Sequence, residues 1–149
     1  MAQVVLPSLR EVIIDTTYIL PLAGIKVKRD LLKAVVEGRA RLRLDELGVS
    51  LVSVLEMQAK AAKLGVPAMR VVKAVQAVFS TFRLIPFKDV VQLAAQLSKR
   101  FDYIDALIVA TAAAVGEDLV TEDSEIHKAK DFVKSFGVDV YSYGDVVKL

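Results

Sequence analysis

Short apolar, β-branched runs alternate with longer stretches of helical period along this chain. Glu11–Ile14 is the first such run and stops at Asp15, which predicts a buried strand. Thr16 and Thr17 open a helix that Pro21 and Gly24 interrupt, and the helical pattern resumes over Val27–Glu37 before Gly38. Val49–Val52 predicts a second strand. Ser53 reads as the cap of the helix that follows, up to Leu64, with Gly65 as its stop signal. Pro67 suits the first turn of another helix, through about Ser80. Phe82–Ile85 predicts a third strand, broken by Pro86, and Asp89–Arg100 an amphipathic helix. Asp102 precedes an almost wholly apolar helix that ends at Gly116, and a helix apolar on every side must be buried on every side. Asp118–Thr121 predicts a fourth strand, Ser124 to about Phe136 a last helix, and Val138–Tyr141 a fifth strand. Strands alternating with helices predict an α/β fold with a mainly parallel sheet, right-handed crossovers and helices on both faces.

Composition narrows the function classes. The 149 residues suit one domain over residues 1–149, and no repeat or linker divides them. With 54% hydrophobic and 26% charged residues the chain is not intrinsically disordered. Without cysteine there is no disulfide scaffold, thiol nucleophile or zinc–thiolate site. The mean hydropathy of +0.47 raises the question of a membrane. The longest uncharged stretch, Ala106–Gly116, has only eleven residues, whereas a spanning helix needs about 20. The opening MAQVVLPSLREV lacks a basic stretch followed by an apolar one, so no signal peptide is predicted and the expected location is the cytoplasm. Asn is absent along with Cys, which hints at a heat-adapted source.

The net charge is only +2, but it is unevenly spread. Residues 26–43 carry seven basic and two acidic side chains, a net +5, and the rest of the chain nets −3. This segment reads as a solvated helix face or as a patch for phosphate backbones. Isolated glycines at Gly65 and Gly116 do not make a phosphate loop.

Four acids fall where a strand hands over to a helix: Asp15 after the first strand, Glu56 in SVLEMQ, Asp105 in DYIDALIVATA and Asp123 in LVTEDSEI. Singly, each also reads as a helix-start signal. Ser53-x-x-Glu56 and Asp102-x-x-Asp105 have capping-box spacing, and acids at helix N-termini gain about 0.3–1 kcal/mol from the helix dipole. As a set they carry more. Strand C-termini of a parallel sheet share one edge, where ligands bind, so all four can converge there. Clustered carboxylates raise one another's pKa, and a divalent cation removes that conflict. All-oxygen donors favour Mg²⁺ or Mn²⁺ over zinc. A phosphatase using Asp15 as nucleophile is disfavoured, because the second Asp its motif requires is replaced by Thr17.

At this point the motifs resemble those of the PIN domain, the nuclease fold of VapC-type toxins. Asp15-Thr16-Thr17 matches the end of its opening strand. Glu56 matches its second acid, Asp105 to Ala112 its D-A-L-I-x-A-T-A motif, and Leu119 to Asp123 its closing L-V-T-x-D. The resemblance spans about residues 11–142. It implies a three-layer α/β/α sandwich around a five-stranded parallel sheet in order 3-2-1-4-5. It implies a metal-dependent ribonuclease site of Asp15, Glu56, Asp105 and Asp123, with the hydroxyls of Thr17 and Thr121 in support. It also implies a homodimer and pairing with an antitoxin; the other expectations are an RNA-processing nuclease without an antitoxin, or a catalytically silent binding module.

The expected reaction is Mg²⁺- or Mn²⁺-assisted hydrolysis of single-stranded RNA, with Lys26, Lys28, Arg29, Arg41 and Arg43 as backbone contacts. The hydrophobic excess predicts an exposed apolar patch, with Leu64, Val71, Val75 and Val78 as the residues to meet a partner. His127 reads as solvent-exposed and uninvolved, Tyr141 and Tyr143 as packing at the sheet edge.

Overall fold

A computed structural model describes residues 10–86, 88 and 90–148. Strand β1 (Val12–Ile14) is buried on both faces and forms the centre of the sheet. It pairs in parallel with β2 (Leu47–Ser50) on one side and β4 (Asp118–Val120) on the other. β3 (Arg83–Ile85) and β5 (Val140–Tyr141) add the outer strands, so the five-stranded parallel sheet runs β3-β2-β1-β4-β5. This is the expected order, and helices cover both faces.

Side-chain alternation along β1 divides the core. Val12 and Ile14 point into a cluster with α1 (Leu31–Val36), α2 (Leu51–Lys63) and α3 (Ala68–Thr81). Ile13 points the other way, into a cluster with α4 (Val91–Leu97), α5 (Tyr103–Val115) and the helices α6 (Ser124–Lys128) and α7 (Lys130–Lys134). In α5 every residue from Ala106 to Ala112 is buried, as its uniform apolarity requires. A short last helix, α8 (Tyr143–Val146), follows β5.

Several local expectations are corrected. The second strand lies two residues earlier than Val49–Val52, because Ser50, not Ser53, caps α2: its hydroxyl accepts from the Val52 amide at 3.3 Å. Ser53 is therefore inside the helix, and the Ser53–Glu56 capping box does not form. The helix expected from Thr16 is two 3-10 turns, Thr16–Tyr18 and Leu20–Ala23, the second ended by Gly24 at φ 77°. The helix expected over Val27–Glu37 starts only at Leu31, where Asp30 accepts from the Lys33 amide at 3.0 Å. The last long helix is broken at Ala129 into α6 and α7. The expected helix start at Asp89 and the opening segment up to residue 9 lie outside the described residues.

Gly48 is required by close approach. A Cβ there would lie 2.9 Å from Ile13 Cδ1 and 3.1 Å from an Arg83 guanidinium nitrogen. Arg83 crosses the sheet at that point to pair with Glu117 through both terminal nitrogens, at 2.8 and 2.7 Å. This pair ties β3 to the turn before β4 at the amino edge, opposite the acids.

Candidate active site

The carboxyl edge of the sheet collects the four acids because strands and helix starts meet there. Asp15 follows β1 directly, and its amide donates to the Val120 carbonyl of β4 at 3.0 Å. Its side chain is 8% exposed. One carboxylate oxygen accepts from the Thr16 amide at 2.7 Å, the other from the Thr121 hydroxyl at 2.5 Å. Burial pushes the Asp15 carboxyl above its ordinary value. The hydrogen bonds from Thr121 and Thr16 pull it back, and the negative charges of Glu56 and Asp123 push it up again.

Asp123 caps α6 by accepting from the Ile126 amide at 2.9 Å. Its own amide donates to the Thr121 hydroxyl at 3.0 Å, so Thr121 couples Asp15 to Asp123 directly. Asp105 sits in the first turn of α5, which Asp102 caps by accepting the Asp105 amide at 2.9 Å. Burial, then Asp123, Asp102 and Asp15, push the Asp105 carboxyl up to about 7. Glu56 lies half-buried in the second turn of α2. Its helix is docked by the Thr16 hydroxyl, which donates to Ser53 Oγ at 2.9 Å. The charges of Glu56 and Asp123 act on Asp15, and those of Asp123 and Asp15 act on Asp105, so the four carboxylates share one edge. Among the described residues no three of them form a ready-made metal cage.

Thr121→Val removes the hydroxyl and keeps the shape. It leaves the Asp15 carboxylate and the Asp123 amide short of a partner. The expected result is a folded variant about 1–3 kcal/mol less stable, read by denaturant unfolding. Unchanged stability would mean that water replaces the hydroxyl at both contacts.

The family model for the PIN domain matches residues 12–132. The chain belongs to the PIN domain family. No curated protein shows a significant sequence match, but solved structures share the fold. FitAcB from Neisseria gonorrhoeae superposes with a TM-score of 0.62 at 18% identity, covering 89% of this chain and 98% of that one. A toxin–antitoxin complex from Klebsiella pneumoniae gives 0.58 at 23% identity, covering 85% and 94%. VapBC-5 from Mycobacterium tuberculosis, of the VapBC family of toxin–antitoxin systems, gives 0.57 at 14% identity, covering 88% and 97%.

In this PIN domain the cations of the basic segment divide between two edges. Lys28 and Arg29 line a depression of about 460 Å³ with Val27, and with Thr17 and Glu122, which stand within two residues of Asp15 and Asp123 in the chain. Lys26 is exposed and lines a neighbouring depression with Pro21 and Asp30. Arg43 precedes β2 at the amino edge and pairs with Asp45 at 3.1 Å. Arg41 packs on the C-terminal segment, its amide donating to the Val146 carbonyl at 2.7 Å.

Near the site the expectation for His127 is corrected, and Glu122 is a group the sequence did not single out. His127 is not solvent-exposed: it is half-buried, and its Nε2 lies 2.6 Å from the Thr121 carbonyl, which makes that nitrogen the donor and braces the loop carrying Asp123. Glu122 gathers partners from three segments of the chain: two hydrogen-bond donors and an ion-paired arginine. A buried tyrosine three residues after Asp15 is the one signal that points to it, since a buried phenol needs a partner.

Proposed function

We propose that this PIN domain is a metal-dependent endoribonuclease that cleaves single-stranded RNA and acts as the toxin of a toxin–antitoxin pair. The observation that carries the reading is Asp15: a buried carboxylate at the sheet's carboxyl edge, fixed by Thr121 and surrounded by three further acids. PIN domains are generally nucleases, and the Klebsiella and Mycobacterium neighbours belong to toxin–antitoxin systems. The donor set fits Mg²⁺ or Mn²⁺. It is all oxygen, and each Asp15 oxygen keeps a free lone pair beside its hydrogen bond.

Asp15, Asp105 and Asp123 would hold the ion, and Glu56 would orient the attacking water. When bound, the ion supplies Lewis-acid stabilisation of the charge that builds on the phosphate and eases ionisation of that water. Thr121 keeps the Asp15 carboxylate in its orientation, and His127 keeps the Asp123 loop in place. Thr17, beside Asp15, can meet a phosphate oxygen.

The partner surface we assign to a second copy or to an antitoxin is the apolar strip of α2 and α3. Leu64 is 66% and Phe79 53% exposed, with Met69 and Val72 between them. Val78 does not belong to it, being fully buried in the core, and Val71 and Val75 are partly packed there. Among the described residues no helix is long and apolar enough to cross a membrane, and the cytoplasm is where the proposed RNA substrate is met.

Mn²⁺ binding tests the reading apart from any choice of substrate. Wild-type protein titrated with Mn²⁺ in a water-proton relaxation experiment is expected to bind it, and Asp15→Asn to bind at least about 10-fold more weakly, the loss expected when metal-site support is removed. Absence of Mn²⁺ binding by the wild type would favour the silent module.

A further inference from the structure

Glu122 stands at the carboxyl edge between Thr121 and Asp123, yet both of its oxygens are occupied. Oε2 accepts from the Tyr18 hydroxyl and the Tyr143 amide, each at 2.8 Å. Oε1 forms an ion pair with Arg29, 3.0 Å from its Nε. The three partners come from the turn after Asp15, the basic loop before α1 and the turn after β5. Tyr18 is fully buried, so one of these bonds is fixed from inside the fold. Burial and the Glu122 charge hold its phenol well above the ordinary value, so it stays a donor.

Arg29 is thereby oriented. Its Nε side is ion-paired with Glu122, and its guanidinium lies 5.8 Å from the centre of the Tyr143 ring. Among the described residues no hydrogen bond engages its two terminal nitrogens. Arg29 and Lys28 line the depression of about 460 Å³ that also holds Thr17 and Glu122, residues that flank Asp15 and Asp123 in the chain. A guanidinium ion-paired on its Nε side leaves its terminal nitrogens as a fork, the geometry that matches a phosphate. An acidic cluster by itself repels RNA, so cations beside it are needed to hold the strand.

We propose that this depression is a phosphate subsite for a nucleotide flanking the cut bond of single-stranded RNA, with Arg29 and Lys28 as phosphate ligands and Glu122 as the positioning residue that aims Arg29. The proposal rests on the ribonuclease reading above and selects these two cations from the basic segment. Arg43, at the opposite edge of the sheet, is the built-in control.

The test is the steady-state kinetics of a short, end-labelled single-stranded RNA with Mn²⁺, together with the salt dependence of its binding in EDTA. Arg29→Met is expected to raise KM about tenfold, with kcat within about twofold, and to lower the slope of log affinity against log salt by about 0.7, one phosphate contact on a single strand. Arg29→Lys keeps the charge and is expected to recover part of the loss. Glu122→Gln is expected to raise KM by about threefold with kcat unchanged, as for an ion pair worth about 0.6 kcal/mol. Arg43→Met is expected to match the wild type. An Arg29→Met variant with wild-type KM and salt slope, in a protein that does cleave RNA, overturns the subsite alone. An equal KM rise in Arg43→Met overturns it too, as a diffuse basic surface. Wild type that neither binds nor cleaves RNA overturns the ribonuclease reading and the subsite with it.

Discussion

Asp105→Asn is expected to lower metal-dependent cleavage of single-stranded RNA by about 10³-fold, a loss of roughly 4 kcal/mol of transition-state stabilisation. The substitution changes charge and almost nothing else. Asp102 caps α5 through the Asp105 backbone amide, so the cap survives the exchange. The helix behind it is packed from Ala106 to Ala112, which holds the side chain on a rigid element. The fold is therefore expected to remain and the chemistry to fail. Cleavage rates with Mn²⁺, run beside circular dichroism of both proteins, check this. A folded variant within tenfold of wild-type activity would remove Asp105 from the ion-holding group.

In the absence of metal the same residue makes stability depend on pH. Burial, Asp123, Asp102 and Asp15 push its carboxyl from 3.8 up to about 7. Between those values the folded chain keeps a proton that the unfolded chain has released. Stability therefore falls as pH rises through that window and levels off above it. Converted in full, the displacement amounts to about 4 kcal/mol; solvent screening at a half-buried site reduces it to about 2 kcal/mol. Asp15 is raised as well and acts in the same direction.

For a chain of this size about 2 kcal/mol is 4–8 °C in melting temperature. About two thirds of that window lies between pH 5 and pH 8, so in EDTA the protein is expected to melt about 3–5 °C lower at about pH 8 than at about pH 5. Asp105→Asn is expected to flatten most of the difference, and Mn²⁺ to raise the melting temperature at the higher pH. Equal wild-type melting temperatures at the two pH values would contradict the crowded-carboxylate account.

The acids were legible because each lies within a short, contiguous motif. Asp15 ends a β-branched run, Asp105 opens an apolar helix that nothing polar should enter, and Asp123 follows another strand. The sheet order came from the resemblance those motifs carry, and the observed pairing agrees with it. Boundaries failed where two buried elements touch. β2 and the start of α2 form one continuous apolar run, and in a run with no polar face periodicity cannot say where strand becomes helix. Only the capping contact of Ser50 decides it.

Glu122 and His127 were not legible for a different reason. Their roles depend on partners that folding brings together: Tyr18 and Tyr143 for Glu122, and the Thr121 carbonyl for the His127 ring. Likewise, Lys28 and Arg43 look equivalent along the basic segment. The direction of β2 places Arg43 before its start, at the edge away from the acids.

The most direct test of the central claim is cleavage of a mixed single-stranded RNA pool by the wild-type protein, with Mn²⁺ and with EDTA, beside Asp105→Asn. RNA fragments are expected only with wild type and Mn²⁺. Cleavage that persists in EDTA or in the variant, or an intact pool despite tight Mn²⁺ binding to a well-folded wild type, would contradict it.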